Sequence, residues 1–268
     1  MRASPVRASD VAATIVQSAM CRTTSSTIAR PRPTLFFFPG LTARPRWDAA
    51  KVPWYDHLRA AAPSMAAEYV AMASSQPSDY TTADGTRDGG EHKLHSGSWD
   101  WHSYITKGRR QAAFASACPT TSLALESVGA DLMVGVPFGF AFFSTLQPGA
   151  TIARHTAPSN LRLRCHVPIT VPADDVSADS EGCGMWLAGE VERWRDIVLF
   201  DDCFEHGVWN HTSEPRTLLL FDIWHPDLAP DERRAITEMF AEGARARESR
   251  DAADEGTATE ATARQPPP

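Results

Sequence analysis

Cysteine is sparse and unpaired in this chain: Cys21, Cys118, Cys165, Cys183 and Cys203 are scattered along 268 residues with no CxxC pair. An odd, dispersed set excludes a disulfide framework and reads as free thiols in a reducing compartment. No apolar run approaches the roughly 20 residues that cross a bilayer. The longest, Phe138–Leu146, is interrupted by Gly139 and Ser144. A basic excess is missing too. The net charge of -7 excludes a general affinity for nucleic acid or acidic membranes, which need a basic face, but leaves room for a local basic pocket. There is no internal repeat, and the N-terminus lacks the compact apolar core of a secretory signal.

What is present is an ordinary globular composition, 43% hydrophobic and 22% charged, long enough for one domain with a sizeable core. Residues 1–32 carry Arg2, Arg7, Arg22, Arg30 and Arg32, many Ser, Thr and Ala, and the single acid Asp10. That is the composition of an organellar transit peptide or of a disordered leader. The expected location is cytoplasmic, or organellar if the leader is a transit peptide. From 247 to 268 the chain is rich in Ala, Thr, Glu and Asp and closes on Pro266, Pro267 and Pro268. So little apolar surface cannot offset ordering entropy, so a disordered tail is expected. The folded domain is placed at 33–246.

Apolar spacing predicts a helix over Asp56–Ala73, and Gln76–Gly97, dense in Asp, Gly, Ser and Thr, reads as a loop. From Val134 onward the period changes to two. Short runs over Phe138–Leu146, Thr151–Arg154, Leu161–Val171, Gly184–Leu187, Asp196–Phe200, Gly207–Trp209 and Thr217–Trp224 are bounded by Pro and Gly. They predict a sandwich or barrel. A last helix starts near Pro230, with Asp231 and Glu232 in its first turn. The expected architecture is an all-β core with flanking helices.

The most informative run is Leu161–Val167. Alternation puts Leu161, Leu163, Cys165 and Val167 on one face and Arg162, Arg164 and His166 on the other. Either that second face is solvated, or something anionic meets the two arginines. His155 precedes a turn at Thr156–Pro158, and His206 follows Asp201 to Glu205. Two histidines on neighbouring strands can share one metal; each alone is equally readable as a structural hydrogen-bonding residue. Ten residues after His206, Arg216 opens the run Leu218–Phe221. With Asn210–Pro215 as a turn, His206 and Arg216 are expected on adjacent antiparallel strands. A guanidinium fork near a metal suits a dicarboxylate that chelates with one end and pairs with the other.

These residues resemble the aspartyl/asparaginyl β-hydroxylase family. The run from Pro148 through His155-Thr156-Ala157 to Arg162-Leu163-Arg164-Cys165-His166 looks like its first metal motif. Phe200–Asn210, then Arg216 and Trp224-His225-Pro226, looks like the second. Similarity extends back through Gly108-Arg109-Arg110 to Phe36–Leu41. The resemblance implies a double-stranded β-helix (the jelly-roll or cupin-like fold) and an Fe(II)- and 2-oxoglutarate-dependent dioxygenase. It implies His155 and His206 as iron ligands, and Ser144 and Arg216 on the distal carboxylate of 2-oxoglutarate. Arg164 and His166 would meet the cosubstrate near the metal, and Arg162 with Arg164 would receive an acidic group on a small-molecule or peptide substrate. O₂ is the other reactant; neither a nucleic-acid partner nor a membrane span is expected.

Most enzymes of the wider class place a carboxylate ligand two residues after the first histidine; here that residue is Ala157. The family has glycine there, and halogenating relatives of the fold also carry a small residue. Three readings therefore stand: β-carbon hydroxylation of an aspartyl or asparaginyl residue or a small acidic substrate, halogenation, and carboxylate binding without catalysis. Trp209 and His225-Pro226 read as packing and strand-end structure, His211 as solvent-facing, and Asp201 with Asp202 as a strand-terminal turn.

Overall fold

A computed structural model describes residues 31–80, 94–173 and 182–263. The leader expected over 1–32 lies outside the described residues as far as residue 30, as do 81–93 of the expected loop.

In chain order the strands are β1 (Arg46–Trp47), β2 (His95–Ser96), β3 (Trp99–Thr106), β4 (Arg109–Arg110), β5 (Ala141–Leu146) and β6 (Thr151–His155). Then come β7 (Arg162–Thr170), β8 (Cys183–Leu187), β9 (Glu190–Glu192), β10 (Val198–Phe200), β11 (His206–Asn210) and β12 (Arg216–Trp224). The larger sheet has the order β1-β10-β7-β12-β5-β3-β4 and the smaller β2-β6-β11-β8-β9, with antiparallel pairing throughout. From β5 to β12 each strand lies in the sheet opposite its predecessor, except that β8 and β9 form a hairpin within the smaller sheet; this winding is a double-stranded β-helix.

This winding corrects one expectation. β11 belongs to the smaller sheet and β12 to the larger, so His206 and Arg216 lie in opposite sheets instead of on adjacent strands. The turn between them, Asn210 to Pro215, crosses the sandwich; Asn210 braces it by donating from Nδ2 to the carbonyls of Leu146 and Glu214.

The alternation on β7 holds. Leu163, Cys165 and Val167 point outward with Leu219, Phe221 and Ile223 of β12, against Leu58, Met65 and Met72 of helix α1 (Tyr55–Ala73). Inside the sandwich, Leu146, Met185, Leu187, Phe200, Val208 and Leu218 form a second apolar cluster. β12 is buried on both faces along its whole length, hence its near-continuous apolar run. Two short helices, α2 (Ala112–Ala117) and α3 (Pro119–Glu126), extend the outer layer.

The last helix, α4 (Pro230–Ala263), seats Ala235 and Ile236 against Phe138, Leu161 and Trp224. It runs well past residue 247, where a disordered tail was expected. Ala, Glu and Arg are strong helix formers, and a nucleated helix propagates through them. Residues 264–268 lie outside the described residues. Among the described residues, no helix is long and apolar enough to cross a membrane.

Candidate functional site

His155 ends β6 and His206 begins β11, and the two are paired across the strands with ring centroids 4.2 Å apart. Strict alternation from the inward-facing Ile152 would turn His155 outward. The register shift between His206 and Val208 prevents this: two residues of β6, Ala153 and Arg154, lie opposite the single Gly207. That bulge brings His155 back to the side of His206, a re-aiming that bulges commonly perform beside functional sites. Nδ1 of His155 lies 2.8 Å from the carbonyl of Ala153, and Nδ1 of His206 lies 2.9 Å from that of Phe204. A carbonyl can only accept, so each Nδ1 carries the proton and each Nε2 the lone pair. Burial first, and the neighbouring His155 second, push the His206 pKa down to about 3. The ring is therefore neutral, the form that binds metal.

Deeper in the barrel, Arg216 is 2% exposed, and its Nε and Nη2 have no hydrogen-bond partner among the described residues. Burial lowers its pKa to about 10, so it remains cationic near neutrality. Its guanidinium lies 4.8 Å from the centroid of the Trp194 ring. The indole Nε1 of Trp194 donates to Nδ1 of His166 at 3.1 Å. His166 is held neutral by burial first and the Arg216 and Arg164 charges next. With Nδ1 accepting, its proton sits on Nε2, which is buried without a partner among the described residues. The Phe200 ring then contacts both His166, at 4.9 Å, and His206, at 5.6 Å. Arg216, Trp194, His166, Phe200, His206 and His155 thus form one continuous line through the sandwich. Ser144, buried on β5, accepts from Nε1 of Trp99 at 2.9 Å.

The orphaned groups test whether the implied cofactors fit. A cation left unpaired in a dry interior is costly, and an anion with two oxygens would satisfy Nε and Nη2 of Arg216 together. The Nε2–H of His166 offers a further donor, and imidazole nitrogens on two paired strands, from His155 and His206, are ligand types that suit Fe(II). The donor set fits iron and a dicarboxylate.

Arg162 departs from its expected role. It is 3% exposed, and its guanidinium donates to Asp202 at 2.7 Å, to Asp222 at 3.1 Å and to the carbonyl of Phe138. Arg164 pairs with Asp222 at 2.9 Å and approaches Asp202 at 3.4 Å. The anion that meets this face of β7 comes from the chain itself: two arginines balance two aspartates. Arg162 is thus unavailable to an acidic substrate, whereas Arg164 still lines the pocket beside His155.

Asp202 is therefore more than part of a turn. Two neighbouring arginines outweigh burial and hold its carboxyl down at about 2. Asp201 keeps the turn role, accepting from the amide of Cys203 at 2.9 Å, and burial raises its pKa to about 7. Among the described residues, Asp201, Asp202 and Cys203 form a buried group with potential metal-ligand atoms within 4.8 Å of one another. The commitment of Asp202 to the arginines accounts for that grouping. Asp222, Trp194 and Trp99 were not anticipated. A lone aspartate inside the apolar run of β12, opposite Arg164 in register, was the one available signal.

Ala157 is buried and its amide donates to the carbonyl of Asp202 at 2.8 Å; its side chain offers no ligand atom. His225 is buried and accepts from the amide of Asp227, a strand-end role. His211 is exposed, and Arg193 lies 5.5 Å from the centroid of the Trp209 ring.

A family model described as aspartyl/asparaginyl beta-hydroxylase matches residues 59–226. Human aspartyl/asparaginyl beta-hydroxylase is 32% identical over 148 residues, 54% of this chain and 18% of that protein. Mouse aspartate beta-hydroxylase domain-containing protein 2 is 33% identical over 153 residues, 55% of this chain and 42% of that protein. The chain thus spans less than half the length of these curated relatives. Among solved structures, a Pseudomonas putida prolyl-4-hydroxylase aligns with a TM-score of 0.38 at 16% identity, over 62% of this chain and 87% of that one.

Proposed function

The chain belongs to the aspartyl/asparaginyl β-hydroxylase family, and from that premise we propose that it is an Fe(II)- and 2-oxoglutarate-dependent hydroxylase. The observation that carries this reading is Arg216, fully buried with Nε and Nη2 unpartnered and joined through Trp194, His166 and Phe200 to the histidine pair.

Bound together, iron and 2-oxoglutarate supply the oxidising power: R–H + 2-oxoglutarate + O₂ gives R–OH + succinate + CO₂. His155 and His206 hold the metal through Nε2, their tautomers fixed by the Ala153 and Phe204 carbonyls. Arg216 receives the distal carboxylate, with the Ser144 hydroxyl nearby on the adjacent strand. His166 donates from Nε2 to the end of the cosubstrate nearer the metal. Phe200 and Trp194 keep the passage dry, which strengthens each of these contacts.

The β-carbon of an aspartyl or asparaginyl group is the substrate position that the relatives' names suggest. Arg162 lends that assignment no support, because its donors are taken by Asp202 and Asp222. Ala157 supplies no third side-chain ligand, so the same residues are compatible with halide transfer; product that depends on chloride would distinguish the two. The test of the proposal is succinate release from 2-oxoglutarate by the Fe(II)-loaded full chain in air. Release that disappears in His206→Ala and in Arg216→Met supports it; none from the parent protein leaves a carboxylate-binding barrel.

A further inference from the structure

Trp99 is buried on β3 directly opposite Leu146 of β5, and its ring belongs to the inner apolar cluster with Leu146, Phe200, Leu218 and Trp194. Tyr80 packs against it at 5.2 Å and Trp101 at 4.9 Å, so the indole is held by rings on either side in sequence. Held there, its Nε1–H meets Oγ of Ser144 at 2.9 Å.

An indole nitrogen can only donate, so Ser144 accepts and one of its lone pairs is taken. The hydroxyl proton is thereby turned away from Trp99. Ser144 is 2% exposed, and among the described residues that proton has no hydrogen-bond acceptor. Ser144 pairs in register with Leu218, and Arg216 lies two residues from Leu218, on the same face of β12. Residues in that diagonal relation are about 7–8 Å apart, close enough for one carboxylate to lie between a hydroxyl and a guanidinium. Nε and Nη2 of Arg216 are likewise buried without an acceptor among the described residues.

We propose that Trp99 is a positioning residue for the cosubstrate: by occupying a lone pair of Ser144 it fixes that hydroxyl as a donor to the carboxylate held by Arg216. The inference rests on the hydroxylase reading, since it takes 2-oxoglutarate as the anion at Arg216. The two bonds reinforce each other. A hydroxyl that donates to an anion becomes a stronger acceptor, so the bond from Trp99 tightens as the ligand binds.

Indole nitrogen-15 NMR of the full chain, loaded with Zn(II) as a diamagnetic substitute for iron, makes this relay visible. The Trp99 resonance is the one that Ser144→Ala displaces most, and Trp194→Phe assigns its neighbour in the site. The Trp99 indole proton is expected to move downfield as 2-oxoglutarate saturates the parent protein. Calorimetry then gives the affinities. Trp99→Phe should weaken 2-oxoglutarate binding about three- to ten-fold, as the loss of one hydrogen bond does. In a Ser144→Ala background the same substitution should change it by less than about two-fold, because the group it acts through is gone. Equal weakening in both backgrounds would make Trp99 a packing residue only and overturns the proposal. So does a Trp99 resonance that stays put in the saturated parent protein, a measurement that does not depend on how well Trp99→Phe folds. A parent protein that takes up no 2-oxoglutarate, with the Trp194 resonance unmoved as well, defeats the hydroxylase reading and this inference with it.

Discussion

The guanidinium of Arg216 lies over the indole of Trp194, 4.8 Å from its ring centroid, and is enclosed with two of its nitrogens unpartnered. A cation buried without an anionic partner is costly, so an apolar side chain of similar length in its place stabilises a fold where packing is kept. Arg216→Met is thus expected to raise the urea midpoint of the ligand-free protein. It should also weaken 2-oxoglutarate binding by two orders of magnitude or more, matching the roughly 2–5 kcal/mol lost when one member of a buried charge pair is removed. Denaturation and calorimetric titration measure the two effects separately, and their opposite signs mark a residue kept for binding.

Arg162 is expected to behave in the contrary way. Its removal leaves Asp202 and Asp222 buried with only Arg164 to balance them, and breaking such a network costs roughly 3–5 kcal/mol. Arg162→Ala should lower the urea midpoint sharply. A variant of parental stability with a selectively raised KM for an acidic substrate would restore the role that the sequence suggested.

Asp201 gives the stability a pH dependence. Burial raises its folded pKa to about 7, above its ordinary value near 3.8. The folded state therefore binds the proton more tightly, and the contribution is fully present below about pH 4 and lost as pH rises through 7. Relative to Asp201→Asn, whose side chain can still accept from the Cys203 amide, the parent protein should lose up to a few kcal/mol between about pH 4 and 8. Urea denaturation of both proteins across that range reads it out; parallel curves would contradict the assignment.

Trp194 positions His166. Without its Nε1–H, Nδ1 of His166 loses the donor that holds the proton on Nε2. One hydrogen bond contributes about 0.5–1.5 kcal/mol, so Trp194→Phe should weaken 2-oxoglutarate binding about three- to ten-fold. Fe(II) affinity, set by His155 and His206, should stay within a factor of two or so of the parent's on this scale.

Much of this was legible in the sequence because it is periodic and local. The alternation of β7, the strand ends carrying His155 and His206, and the start of the last helix all follow from residue type and spacing. Which sheet a strand joins does not: a six-residue turn can close a hairpin or cross a sandwich, and Asn210–Pro215 crosses. Alternation cannot foresee the bulge opposite Gly207 that turns His155 inward. Nor does it reveal that Asp222, within the apolar run of β12, cancels an arginine two strand positions from His166. The contact of Trp99 with Ser144 was equally hidden, because β3 comes from the first half of the chain, where the motifs are thin.

Iron at His155 and His206 and 2-oxoglutarate at Arg216 should bind together, one requiring the other for colour. The measurement for this is anaerobic titration of the purified full chain with Fe(II) and then 2-oxoglutarate, followed by visible absorption. The expected result is a charge-transfer band that needs both additions, is abolished in His206→Ala, and in Arg216→Met appears only at much higher 2-oxoglutarate. No band in the parent protein at saturating concentrations of both would contradict it.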